Sequence, residues 1–317
     1  MPLSGCDEEG NVDWKAVEDL IAWLLGKTGW LADKEDDGKV PDVVPNDGDD
    51  TNLPTKVDLS AYFPPIGDQG SYGTCVVWAT GYNLKTALNA KQKAWTASNL
   101  SSKSNQTSPA DLWYAISTSD KNTNCNGTNF EPSLSVLQTY GAANMETVPY
   151  SSMNCSAKAT YDSSNKLQQF RQIAYKDISG GGNDKGMTVE NFKAYLRDGK
   201  PIAFGAQLGE RFMAWNSSAV LSSDTKDYKG QHAYHALALV GYDDNQGTKG
   251  AFHVRNSWGT GWGDNGSIWV DYDFFVNQFC FSAYIADNAG TVSSAPKRAK
   301  SNLSVSASDF ENNSVKV

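Results

Sequence analysis

One cysteine in the first third of the chain and a histidine and an asparagine in its last third each sit in an unusual run. A chain that unites them must fold its two halves onto one another. The cysteine run is Q-G-S-Y-G-T-C-V-V-W-A, from Gln69 to Ala79. Gly70 and Gly73 permit a tight turn, and Thr74 suits an N-cap. Val76, Val77, Leu84 and Leu88 continue an apolar pattern, which predicts a helix from Cys75 to about Ala90. Cys75 then lies in the first helical turn, where unpaired N–H groups and the macrodipole favour negative charge. That setting lowers a thiol pKa and makes a nucleophile. A small buried core cysteine is the competing reading.

Two later runs favour the nucleophile. His235 opens H-A-L-A-L-V-G-Y, and Asn256 opens N-S-W-G-T-G-W-G. A cysteine followed far downstream by a histidine and an asparagine is the order of a thiol nucleophile, its base and an orienting amide. With the weaker C-N-G at Cys125 to Gly127, these runs resemble the papain-like cysteine peptidases over about Leu53 to Asp287. The resemblance implies an α+β, two-lobed fold, with a helical lobe, an antiparallel barrel-like lobe and a cleft between them. It implies a cysteine endopeptidase acting on peptide or protein substrates through a thioester, without cofactor or metal. An exopeptidase or acyl transferase on the same scaffold, or an inactive peptide-binding member, are the alternatives.

Roles follow the same resemblance. Cys75 is the nucleophile, His235 its proton shuttle and Asn256 the orienter. The Gln69 side-chain amide joins the Cys75 N–H in an oxyanion hole. Trp258 covers the histidine–asparagine hydrogen bond and, with Gly127 and Thr128, lines the substrate site. Thr128 stands where the family has a second glycine, so its branched side chain is expected to narrow or reshape the cleft. Val76 and Tyr234 also depart from the pattern. The family pairs the C-N-G cysteine with one just before the nucleophile, but Tyr72 occupies that place, and Ala115 falls near the place of another family cysteine. Cys125 and Cys155 are therefore expected to join each other, and Cys280 to be buried and inert. His232 and His235 could be read as a metal pair but lack a third ligand. His253 is expected to be structural.

Composition bounds the partners. The 317 residues carry 27 Lys and Arg against 36 Asp and Glu, a net charge of −9. That balance argues against nucleic acid or an anionic membrane surface as the main partner. No apolar run of about 18 residues offers a membrane span. Leu3-Ser4-Gly5-Cys6 resembles the end of a bacterial lipoprotein signal, which makes Cys6 a candidate lipid anchor and the protein extracytoplasmic. The oligomeric state is left open.

Three regions are expected. Residues 1–54 hold a helix capped by Asn11, ending at Gly26, and an acidic stretch from Asp33 to Asp50. In position, they match the propeptide with which the family covers its active site. Residues 55–287 form the peptidase domain. Within it, Ser108-Pro109 starts a helix, Pro132 to Tyr140 and Thr188 to Arg197 are helical, and Gly180 to Gly182 form a loop. Strand-like runs cover Ile202 to Ala206, Ala236 to Tyr242, Ala251 to Asn256 and Ser267 to Asp271. Residues 288–317 read as a polar tail.

Overall fold

The helix that begins at Cys75 is buried on every side through Thr86. It therefore runs through the protein's interior. It starts as an α-helix (Cys75–Val77), widens into a π-helical stretch (Trp78–Lys85) and continues as an α-helix (Thr86–Lys93). The Thr80 hydroxyl bonds back to the Val76 carbonyl at 2.8 Å, a contact that bends helices. Ala94, in the left-handed conformation, ends it. The computed structural model describes residues 27–32, 52–178, 184–227 and 233–290. The predicted N-terminal helix, Cys6, the acidic stretch, Gly180 to Gly182, His232 and the chain beyond residue 290 lie outside these.

Helices dominate the first half: Ala97–Ser101, Pro109–Ala115 and Phe130–Thr139. The Ser108 hydroxyl accepts from the Asp111 N–H at 3.1 Å, with Pro109 behind it, as the sequence predicts. Thr74 behaves otherwise. It makes no side-chain cap, because its hydroxyl pairs with the Tyr150 hydroxyl at 2.6 Å.

Strands dominate the second half. They are β1 (Lys56–Asp58), β2 (Leu167–Tyr175), β3 (Ile202–Leu208), β4 (Val220–Leu221), β5 (Ala233–Asp243), β6 (Ala251–Arg255), β7 (Ser267–Asp271) and β8 (Cys280–Asn288). Their order is β2-β8-β3-β5-β6-β7-β4, with β1 also paired to β5. Every pairing is antiparallel except β4 with β7. One core, with Phe204, Phe212, Phe252 and Phe275, belongs to the sheet and its own helices. A second joins the Cys75 helix to Trp113, Phe130 and Leu134, and reaches Ala203, Ala236 and Tyr284 of the sheet. The architecture is thus α+β, and helices meet sheet along the Cys75 helix.

Candidate active site

Strand register brings the histidine and the asparagine together. In the antiparallel β5–β6 pair Ala238 faces Arg255, so His235 and Asn256 fall at the same end of neighbouring strands. His235 Nε2 and Asn256 Oδ1 lie 2.8 Å apart, and the same oxygen accepts from the Ser257 N–H at 2.7 Å. An amide oxygen that accepts there makes Nε2 the protonated ring nitrogen and leaves Nδ1 as the acceptor. Nδ1 is buried without a hydrogen-bond partner. The Trp258 ring lies 4.7 Å from the imidazole, tilted by 37°, and screens it.

The thiol reaches the same place from the helix side. Cys75 packs in one core cluster with Ala236, the residue after His235, whose backbone N–H favours the thiolate. Gln69 is tied across as well. Its N–H donates to the Ser257 carbonyl at 2.8 Å, and its Oε1 accepts from the Ser257 hydroxyl at 2.7 Å. That leaves Nε2 aimed at carbonyl oxygens, those of Tyr72 and Lys27, both at 2.7 Å. Tyr150 fixes the approach to the helix, donating to the Gln69 carbonyl at 2.9 Å.

The site is closed. Cys75, His235 and Gln69 have no exposed surface, and Asn256 has 2%. Residues 27–32 lie across them. The Lys27 carbonyl accepts from Gln69 and, at 3.3 Å, from Trp258 Nε1. The Gly29 and Trp30 N–H groups point to the Tyr234 carbonyl at 3.3 and 3.4 Å. Thr128 pairs on both sides of Trp30, donating to the Gly29 carbonyl at 3.0 Å and accepting from the Leu31 N–H at 3.1 Å. Gly29 lies so close to Gly73 that a Cβ on it would stand 2.1 Å from the Gly73 oxygen.

Closure overrides the expected helix-terminus effect on the thiol. Burial pushes Cys75 up to about 12, although backbone N–H groups pull the other way. Burial likewise holds His235 down at about 4, against the raising effect of Asn256. Thiol and imidazole are both neutral near pH 7 in this closed form, where the helix-terminus setting of Cys75 predicts a lowered thiol pKa.

Other expected residues fall as follows. The Thr128 hydroxyl turns away to the Asp120 carbonyl at 2.7 Å, so its backbone, not its branched side chain, faces residues 29–31. This departs from the expected narrowing of the cleft. Gly127 has φ +114°, a conformation that suits glycine, and lies against Leu31. Cys125 and Cys155 are joined by a disulfide, and Cys280 is buried with its thiol pushed up by burial. His253 stacks on Trp269 at 4.5 Å. The sequence reading passes over Lys27, Gly29, Trp30, Ser257 and the backbone role of Tyr234. The signal for the first three is slight: a glycine before Trp30-Leu31, between Gly26 and the acidic stretch.

The family model described as papain family cysteine protease matches residues 53–283. The chain belongs to this family. It is a thiol protease by that membership, and peptides or proteins are its substrate class. Relatives of this papain-family chain include cathepsin B-like CP2 of Giardia intestinalis, 25% identical over 81% of this chain and 83% of that protein. A peptidase C1-like protein of Acanthamoeba polyphaga mimivirus is 33% identical, but over only 28% of each chain. Among solved structures, the cysteine protease xylellain from Xylella fastidiosa has a TM-score of 0.63 and 20% identity, over 82% of this chain and 96% of that one. A digestive procathepsin L 3 of the Tenebrio molitor larval midgut has a TM-score of 0.64 and 18% identity, over 85% and 78%.

Proposed function

We propose that this chain is a cysteine endopeptidase held inactive by its own residues 27–32. The carrying observation is the Lys27 carbonyl, seated on the Gln69 amide over a buried Cys75 and His235. In the opened enzyme, His235 Nδ1 takes the Cys75 proton and the thiolate attacks the scissile carbonyl carbon. Gln69 Nε2 and the Cys75 N–H receive the oxyanion. His235 then protonates the departing amine, leaving a thioester. Water, deprotonated by His235, attacks that thioester and restores the thiol. Asn256 keeps the imidazole in the tautomer these steps need.

Residues 1–54 act as the pro-segment of the 55–287 peptidase domain, and residues 288–317 as its tail. The Cys125–Cys155 disulfide supports an extracytoplasmic site of action, since disulfides persist in oxidising compartments. Cys6 is the candidate lipid anchor. The test is labelling with a thiol-directed peptide electrophile near neutral pH, read by mass spectrometry. The wild-type chain should label slowly, and Trp30→Ala fast and only at Cys75. Trp30→Ala with His235→Ala should be slow again. Fast labelling of the wild-type chain would end the closed-form reading, and labelling indifferent to His235 would end the mechanism.

A further inference from the structure

Among the described residues, the large hydrophobic side chains left exposed are Tyr140 and Tyr161, at 51% and 43%, and they are neighbours. Their ring centroids lie 5.2 Å apart, tilted by 44°. The surrounding backbone is shaped to present them. Tyr161 has φ +61°, a left-handed conformation that costs energy in any residue with a Cβ. The Asp111 carboxylate, which has no exposed surface, holds it there. That carboxylate accepts from the Thr160 N–H at 2.6 Å, the Tyr161 N–H at 3.2 Å and the Ala143 N–H at 2.7 Å. Gly141, at φ +73°, brings Tyr140 alongside, and a Cβ on it would stand 2.0 Å from the Asp162 carbonyl oxygen. Backbone strain kept at an exposed aromatic pair points to something that covers the rings.

The chain itself passes this platform just before it leaves the described structure at Gly290. The Ala289 N–H points to the Lys166 carbonyl at 3.4 Å, and Gln92 Nε2 donates to the Ala289 carbonyl at 3.1 Å. Asn165, the residue before Lys166, lies against Gly141. Residues 291–317 hold a single aromatic side chain, Phe310. It lies about 20 residues beyond Gly290, a reach of up to ~66–72 Å, so the platform is well within range.

Charge fits as well. Phe310 sits between Asp309 and Glu311. On the platform, Lys158 and Lys166 bracket Tyr161 in sequence, and neither makes an ion pair among the described residues. The acid between them, Asp162, is turned onto Ser164, accepting from its N–H at 2.9 Å and its hydroxyl at 2.7 Å.

We infer that residues 309–311 dock on the Tyr140–Tyr161 platform of their own chain, with the Phe310 ring against the two tyrosine rings and the flanking carboxylates toward Lys158 and Lys166. The platform is then the seat of the chain's last segment, apart from the cleft that residues 27–32 cover.

The test is nitration of tyrosines by tetranitromethane in the full-length chain, read peptide by peptide in a mass spectrometer. Burying one ring against two others shifts an equilibrium by about tenfold or more. Phe310→Ala should therefore raise nitration of Tyr140 and Tyr161 at least ~10-fold and leave Tyr62 unchanged, which also shows that the fold is intact. A synthetic peptide of residues 303–315, added in excess to Phe310→Ala, should slow both tyrosines again. Asp309→Lys with Glu311→Lys should give an intermediate rate, and 1 M salt should bring the wild-type chain toward it, since exposed charges are screened there. From the other side, Tyr161→Ala should speed chymotrypsin cleavage after Phe310 by a similar factor. Equal nitration of Tyr140 and Tyr161 in wild type and Phe310→Ala would overturn the inference. Protection that fades when the wild-type chain is diluted would assign the cover to a second copy and overturn docking within one chain.

Discussion

Burial sets the charge of Cys75 and His235, and so couples closure to pH. The His235 pKa falls from an ordinary 6.5 to about 4 in the closed chain. A depressed imidazole stabilises the closed form fully above about 6.5, and that contribution is lost as pH falls through 4. At 1.36 kcal/mol per unit, about 3 kcal/mol is involved. His253, also held near 4 by burial, has the same sign but lies away from the cleft, so it acts on global stability. Protection of the Trp30 and Leu31 amides against hydrogen exchange, corrected for intrinsic rate, should drop between pH 7 and pH 4.5. The drop should shrink in His235→Ala. Equal protection at both pH values would remove the imidazole as the cause. A second residue-scale expectation concerns Gln69. In the opened enzyme Gln69→Ala should lower kcat by about 10²–10³, the usual effect of one lost oxyanion donor, with a smaller change in KM. An effect confined to KM would give Gln69 a binding role instead.

At the scale of elements, one hydroxyl ties the two ends of the turn from Gln69 to Cys75 together. Tyr150 meets Thr74 and the Gln69 carbonyl together, and its ring packs on Trp78 at 4.8 Å. Tyr150→Phe keeps the ring and strands both partners, so it should cost about 1–3 kcal/mol in urea unfolding. It should also lower kcat, because the oxyanion loop loses its brace. The motif-bearing elements are the ones legible in sequence. Ser108-Pro109 and the strand runs around His235 and Asn256 announce themselves through caps and apolar alternation. The helix after Cys75 runs on to Lys93 because the left-handed stop is an alanine, Ala94, with no glycine to mark it. β2 is hidden by its polar residues, Gln168, Gln169 and Arg171 on its exposed part and Gln172 buried against Ser282. Closure over the site is hidden for another reason: a six-residue stretch gains its meaning only from Thr128, Tyr234 and Gln69, which lie far along the chain.

For the whole molecule, the Cys125–Cys155 disulfide ties the loop that carries Gly127 and Thr128 to a segment 30 residues away. In the loop-closure view, a bridge of that separation contributes about 3–4 kcal/mol. Replacing both cysteines with alanine should lower the urea midpoint accordingly. It should also speed Cys75 labelling, since Thr128 would hold residues 29–31 less firmly. A shifted midpoint with an unchanged labelling rate would confine the bridge to stability.

The cover and the cleft are parts of one polypeptide, joined through residues 33–51, and that makes closure a matter of local concentration. A tethered segment meets its site at an effective concentration of order millimolar, so six residues of modest affinity suffice. A cut anywhere between residues 33 and 51 turns the same contact into a meeting of two molecules. At micromolar protein, the ratio of covered to open sites then falls by about a thousandfold with no hydrogen bond altered. Such a device keeps time in one direction: dilution carries the cover away, and rejoining would need the peptide bond remade.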